Sequence, residues 1–115
     1  MRRKLSYHCI FFNKLLNSSR FDLLALLALL ALAQADIVFY NGLHLEAKMG
    51  EVIEQLGRNK PVLAVGEAVD PARLISPDAF QRSHDPHIWF DVELWSQAIP
   101  AVVAILSEKD PAHAD

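Results

Sequence analysis

The chain has 115 residues with eleven Lys/Arg against fourteen Asp/Glu, a net charge of -3, and one cysteine. That length holds one small domain of about 100 to 200 residues and excludes a complete two-lobed receptor or enzyme. A lone cysteine excludes an intrachain disulfide, a CxxC redox pair and a multi-thiolate zinc site, so any metal must be held by histidine and carboxylate.

The charge is divided unevenly. Residues 1–35 hold five Lys/Arg and one Asp, while residues 36–115 hold six Lys/Arg and thirteen acids. An acidic body lacks the clustered basic groups that displace counterions from a phosphate backbone, so nucleic acid is not an expected partner. The first segment, 1–35, is read as a basic head leading into an uninterrupted Leu/Ala run from Leu23 to Ala33. Eleven apolar residues fall short of the ~20 needed to span a bilayer. Two readings of the run stay open. Its length, the upstream Arg2, Arg3, Lys4, Lys14 and Arg20, and the Ala33-Gln34-Ala35 site fit a secretory signal cleaved after Ala35. Leu/Ala composition equally fits a helix buried on all sides and feeding a strand at Asp36. A third reading, that the head is not native coding sequence, rests on residues 1–22, which show no period, no turn grammar and no link to the rest of the chain. Cys9 lacks the small apolar residues that precede a lipidated cysteine, so no lipid anchor is expected on it.

The body, 36–115, reads as α/β. Ile37-Val38-Phe39-Tyr40 is a β-branched and aromatic run closed by Asn41-Gly42, a strand ending in a turn. Leu45, Met49, Val52, Ile53 and Leu56 share one face of a 3.6-residue period, with Glu46, Glu51 and Glu54 on the solvated face, and Gly57 is expected to stop this helix as a left-handed C′ residue. Pro61 to Gly66 is a second strand. Strand, helix and strand within about thirty residues predict a right-handed βαβ unit and a parallel sheet. Residues 66–87, broken by Pro71, Pro77 and Pro86, read as a functional loop. Asp91 caps a last helix whose apolar face is Val92, Trp95, Ile99, Val102, Val103 and Leu106, kinked at Pro100. Asp110-Pro111 then starts a further turn of helix. Trp89, Phe90 and Trp95 read as core aromatics.

The densest polar cluster is His84-Asp85-Pro86-His87, followed by Ile88-Trp89. Imidazole is the commonest zinc ligand and a carboxylate can orient it. Proline fixes the backbone before His87 and an aromatic follows, so His87 is the primary candidate ligand. His84, Asp85 and His44, the last just past the end of the first predicted strand, are candidate auxiliary groups. Surface histidines in a polar loop are the competing reading. No Ser or Cys has a base near it and no Gly-rich phosphate loop exists, so no enzyme is expected. A metal-dependent hydrolase built on His84, Asp85 and His87 is a weaker third idea.

Ala35-Asp-Ile-Val-Phe-Tyr-Asn-Gly-Leu-His-Leu-Glu46, Lys48-Met-Gly-Glu-Val52, Asp85-Pro-His-Ile-Trp-Phe-Asp-Val92 and Leu94-Trp-Ser-Gln97 together resemble the zinc/manganese substrate-binding proteins of ABC importers, also known as metal-binding adhesin lipoproteins. The resemblance runs from about Gln34 to Asp115. It implies two α/β lobes joined by a long helix, with Zn²⁺ or Mn²⁺ clamped between them as the transported ligand by two histidines of the first lobe and two ligands of the second. It places one of these histidines at His87. It also implies a membrane permease as partner and a periplasmic or extracytoplasmic location. The family's other first-lobe histidine, usually in a second Asp-Pro-His upstream, has no counterpart before Asp36. The linking helix and second lobe are absent as well. The expected molecule is a partial, truncated N-terminal lobe: a small parallel sheet flanked by helices and preceded by an apolar helix. The alternative is a small membrane-associated helical protein with no metal role.

Overall fold

The computed structural model describes residues 7–9, 21–77 and 83–114. Three parallel strands, β1 (Tyr7–Cys9), β2 (Ile37–Tyr40) and β3 (Val62–Ala64), form a sheet in the order β1-β2-β3. Between them run α1 (Phe21–Gln34) and α2 (Lys48–Leu56), and α3 (Val92–Ser96) and α4 (Ile99–Lys109) follow. Short 3-10 turns occupy Val65–Ala68, Pro71–Arg73, Ile88–Phe90 and Pro111–His113. The expected strand-helix-strand unit is therefore present, with Val38 opposite Val62 and Tyr40 opposite Ala64.

The head makes one link that its sequence does not signal. Tyr7, His8 and Cys9 pair in parallel with Ile37, Val38 and Phe39. Three residues are too few to show a period, which is why the segment reads as patternless. The same expectation for residues 1–6 and 10–20 lies outside the described residues. The Leu/Ala run forms α1, and its C-terminal end enters the core: Leu32 and Ala35 are buried with Val38 of β2 and Ile53 of α2, and Met49, Leu56 and Val62 pack around them. The Lys60 ammonium donates to the carbonyls of Leu32, Ala33 and Ala35 at 3.0, 2.6 and 2.8 Å. A cation there adds a donor to carbonyls at and just past the helix C-terminus, where intrahelical partners run out, and opposes the negative end of the helix dipole. The outer side of α1 carries exposed Leu23, Leu26, Leu27 and Leu30. Among the described residues, no helix is long and apolar enough to cross a membrane.

Several local expectations are corrected. The helix read from Leu45 begins at Lys48, because the chain between β2 and α2 makes a tight turn with positive φ at Gly42, Leu43, His44 and Ala47. Gly57 ends α2 with right-handed backbone, φ -60°, and not as a left-handed residue; its N–H bonds back to the carbonyls of Ile53 and Glu54. The last helix is two helices. Pro100 sits in the first turn of α4, where its missing N–H costs no bond, so it starts a helix and does not kink one. Asp91 does cap α3, its carboxylate accepting the Leu94 N–H at 2.9 Å. That cap sets the phase of α3 so that Leu94 and, four residues on, Ala98 turn inward, while Val92, Ile99 and Val103 are exposed. Leu94 joins a second core cluster with Val69 and Ile88, covered by Leu43, Leu74 and Trp95. In the tight turn at Ile88–Phe90, Ile88 points in and Phe90 points out, 81% exposed, so Phe90 is not a core residue.

Candidate functional site

The end of β2, the end of β3 and the Asp-Pro-His loop converge at one edge of the sheet, where ligands bind in open parallel α/β folds. The turn after β2 is closed by Glu46. Its carboxylate accepts the backbone N–H of Asn41 at 2.7 Å and of Gly42 at 3.1 Å. Glu46, expected on a solvated helix face, instead lies before the helix and satisfies two turn amides. Gly42 is needed here for two reasons, its φ of +76° and the lack of room for a Cβ, which would lie 2.8 Å from the Ala64 Cβ.

The described residues from Val69 onward are tied down at several points. Asp70 caps its 3-10 turn through the Ala72 N–H, and the Asp70 N–H donates to Gln97. Arg73 pairs with Asp91 and Glu93 at 3.3 and 3.2 Å. The Ser76 hydroxyl meets His84 Nδ1 at 2.8 Å, and the Asp85 N–H donates to the Ile75 carbonyl at 2.7 Å.

These ties deliver Asp85-Pro86-His87 in a defined geometry. Asp85 Oδ1 accepts both the His87 backbone N–H at 3.0 Å and its ring Nδ1 at 2.6 Å. The two hydrogen bonds, the backbone one first, hold the Asp85 carboxyl below its usual range against a small opposing effect of burial. With the proton on Nδ1, the imidazole keeps an Nε2 lone pair, and among the described residues nothing bonds to that nitrogen. The ring is half exposed and forms a triangle with Trp89, 5.1 Å away and tilted, and Phe90, 6.3 Å away and stacked, whose own rings are 5.8 Å apart. A carboxylate behind the imidazole fixes tautomer and ring direction, the arrangement that supports metal-ligating histidines.

The other sequence candidates lie elsewhere. His44, exposed and with φ 63°, stands between two clefts. One, of about 200 Å³, is lined by Tyr40, Glu46, Glu51, Glu54 and Glu67; the other, of about 290 Å³, reaches His84 and Ser83. Thus His44 and His84 share a cleft, and His87 lines neither. Tyr40 is pushed above the ordinary phenol range mainly by burial, then by the charges of Glu67, Glu54 and Glu46. Among the described residues, no three His, Cys, Asp or Glu side chains are grouped to hold a metal. The residues that sequence reasoning missed are Glu46 and Asn41; the Asn-Gly pair signals a turn but not the reach of the Asn41 side chain, which donates to the Pro86 carbonyl at 3.2 Å.

Residues 28–115 match the family profile described as zinc-uptake complex component A, periplasmic. The chain is 43% identical over 84 residues to the manganese-binding lipoprotein MntA of Bacillus subtilis, covering 73% of this chain and 27% of that one. It is 44% identical over 80 residues to the zinc-binding protein TroA of Treponema pallidum, covering 70% and 25%. The solved structure of that periplasmic protein superposes with a TM-score of 0.68 at 41% identity, over 75% of this chain and 30% of the other. The chain thus spans between a quarter and a third of the length of the relatives it matches. The match starts inside α1, upstream of the Gln34 from which the motifs are legible.

Proposed function

The chain belongs to the family of periplasmic zinc-uptake component A proteins, and we propose that it carries part of the metal-capturing first lobe of an extracytoplasmic receptor. In this reading Zn²⁺ or Mn²⁺ is cargo, held without covalent chemistry and passed to a membrane permease. The observation that carries it is the Asp85–His87 pair: a half-exposed imidazole whose Nδ1 is engaged by a carboxylate at 2.6 Å and whose Nε2 faces no protein partner among the described residues. Nε2 of His87 is the proposed ligand, Asp85 orients it, and Trp89 and Phe90 lie beside the ring. His44 and His84 are auxiliary, sharing a neighbouring cleft.

A closed zinc site takes four protein ligands. One oriented imidazole falls well short, so the remaining ligands belong to the larger part of the relatives' length that this chain does not span. Imidazole suits zinc and added carboxylates suit manganese, so the choice of metal rests with those ligands. Calorimetric titration of the purified chain with Zn²⁺ and with Mn²⁺ tests the proposal. Weak binding that His87→Ala abolishes and His84→Ala leaves largely intact supports it. Greater loss from His84→Ala, or nanomolar one-to-one binding that survives His87→Ala, refutes it.

A further inference from the structure

We propose that Asn41 is a positioning residue for His87, its side-chain amide setting where the imidazole points; the inference builds on the reading of His87 as the metal ligand. Asn41 directly follows β2 and is 6% exposed. Its backbone N–H donates to Glu46 and its carbonyl accepts the Gly66 N–H at 2.7 Å. That approach requires glycine, since a Cβ on residue 66 would lie 2.6 Å from the Asn41 oxygen. Asn41 is therefore fixed between the turn after β2 and the end of β3 before its side chain does anything.

The Nδ2 group then donates to two carbonyls, Gly42 at 3.0 Å and Pro86 at 3.2 Å. The second is the decisive contact. The Pro86 carbonyl and the His87 N–H belong to one planar peptide group. Asn41 holds its oxygen, and Asp85 Oδ1 holds its N–H at 3.0 Å. A plane gripped on both sides cannot rotate, so the Cα of His87 and the origin of its side chain are fixed. Only an amide fits this role. Both of its N–H groups face carbonyl oxygens, where aspartate would place a repelling oxygen and serine would supply a single, shorter donor. The Asn41 Oδ1 is buried and, among the described residues, has no hydrogen-bond partner, so the contacts that tie this side chain to the loop are those of its donors.

The test compares wild type with Asn41→Asp and Asn41→Ser in the full chain. The readouts are thermal unfolding, Zn²⁺ titration, and the imidazole nitrogen shifts of His87 by NMR without metal. The wild-type ring should show a single Nδ1–H tautomer. A folded Asn41→Asp should show an averaged one and lose on the order of tenfold in Zn²⁺ affinity, the lower end for residues that orient a ligand. Asn41→Ser should fall between, and serves alone if the aspartate variant does not fold. A residue of purely structural importance would lower the melting temperature and leave the tautomer unchanged, and that result in a folded variant overturns the inference. If His87→Ala leaves wild-type Zn²⁺ binding intact, the metal reading fails, while the metal-free tautomer measurement still decides the role of Asn41.

Discussion

Replacing Lys60 by Met, which keeps the aliphatic stem and removes the ammonium, tests whether α1 is an integral part of this lobe. The ammonium holds three carbonyls within 2.6 to 3.0 Å, two of those bonds being partly buried and one exposed. A cation at a helix C-terminus stabilises by about 0.3–1 kcal/mol when exposed and up to ~2 when partly buried. Hydrogen bonds to a charged group contribute roughly 1.5–3 kcal/mol, to be discounted where solvent competes. The two contributions overlap, and together they give about 2–3 kcal/mol for Lys60→Met. At roughly 4–8 °C per kcal/mol for a lobe of this size, melting should fall by about 10–20 °C. Urea unfolding followed by far-ultraviolet circular dichroism gives the free energy, provided the slope with denaturant stays at the wild-type value. Lys60→Arg should recover most of the loss. A change under about 0.5 kcal/mol is what an ordinary surface lysine gives, and would refute the capping argument.

Leu32→Ala should cost about 2–5 kcal/mol, since Leu32 is 2% exposed in the main core, and thermal melts would show whether α1 packs as described. Glu46→Ala leaves the N–H groups of Asn41 and Gly42 without their acceptor and should cost roughly 2 kcal/mol, with Glu46→Gln less harmful, as read by urea unfolding. Tyr40 holds its proton more tightly folded than unfolded, so its contribution to stability is complete below the ordinary phenol value of 10.0 and is lost as pH rises through the higher folded value. Stability measured from pH 9 to 12 should show this alkaline decline and Tyr40→Phe should flatten it; an equal decline in both proteins would remove Tyr40 as its source.

The parts of the fold legible in the sequence are those with a repeating or capping signature. The β-branched run at Ile37–Tyr40, the apolar spacing of Met49, Ile53 and Leu56, and the Asp91 cap all appear as read. The illegible parts depend on contacts between distant segments. The three-residue strand at Tyr7–Cys9 exists only because β2 offers it an edge. The side of α3 that turns inward, Leu94 with half-buried Trp95 beside it, meets the Val69–Ile88 cluster, whereas apolar spacing also counts Val92, Ile99 and Val103, which are exposed. At the site, proline and aromatics around His87 are visible in the sequence, and so is Asp85. The reach of Asn41 across to Pro86 is not, because an Asn-Gly pair signals a turn and says nothing of the groups the amide will meet there.

The Asn41–Pro86 bond also bears on the order in which the chain organises. Its ends are 45 residues apart. Closing a flexible loop of that length costs about 3 kcal/mol plus a constant, more than one neutral hydrogen bond returns. The bond therefore forms only after β3 and the Val69–Ile88 cluster have drawn the ends together. A nascent or translocating chain thus presents His87 as an ordinary flexible imidazole and gains the oriented one late, as its final local event. In stopped-flow refolding, the restricted environment of Trp89 beside His87 should accordingly appear after the far-ultraviolet signal of the helices.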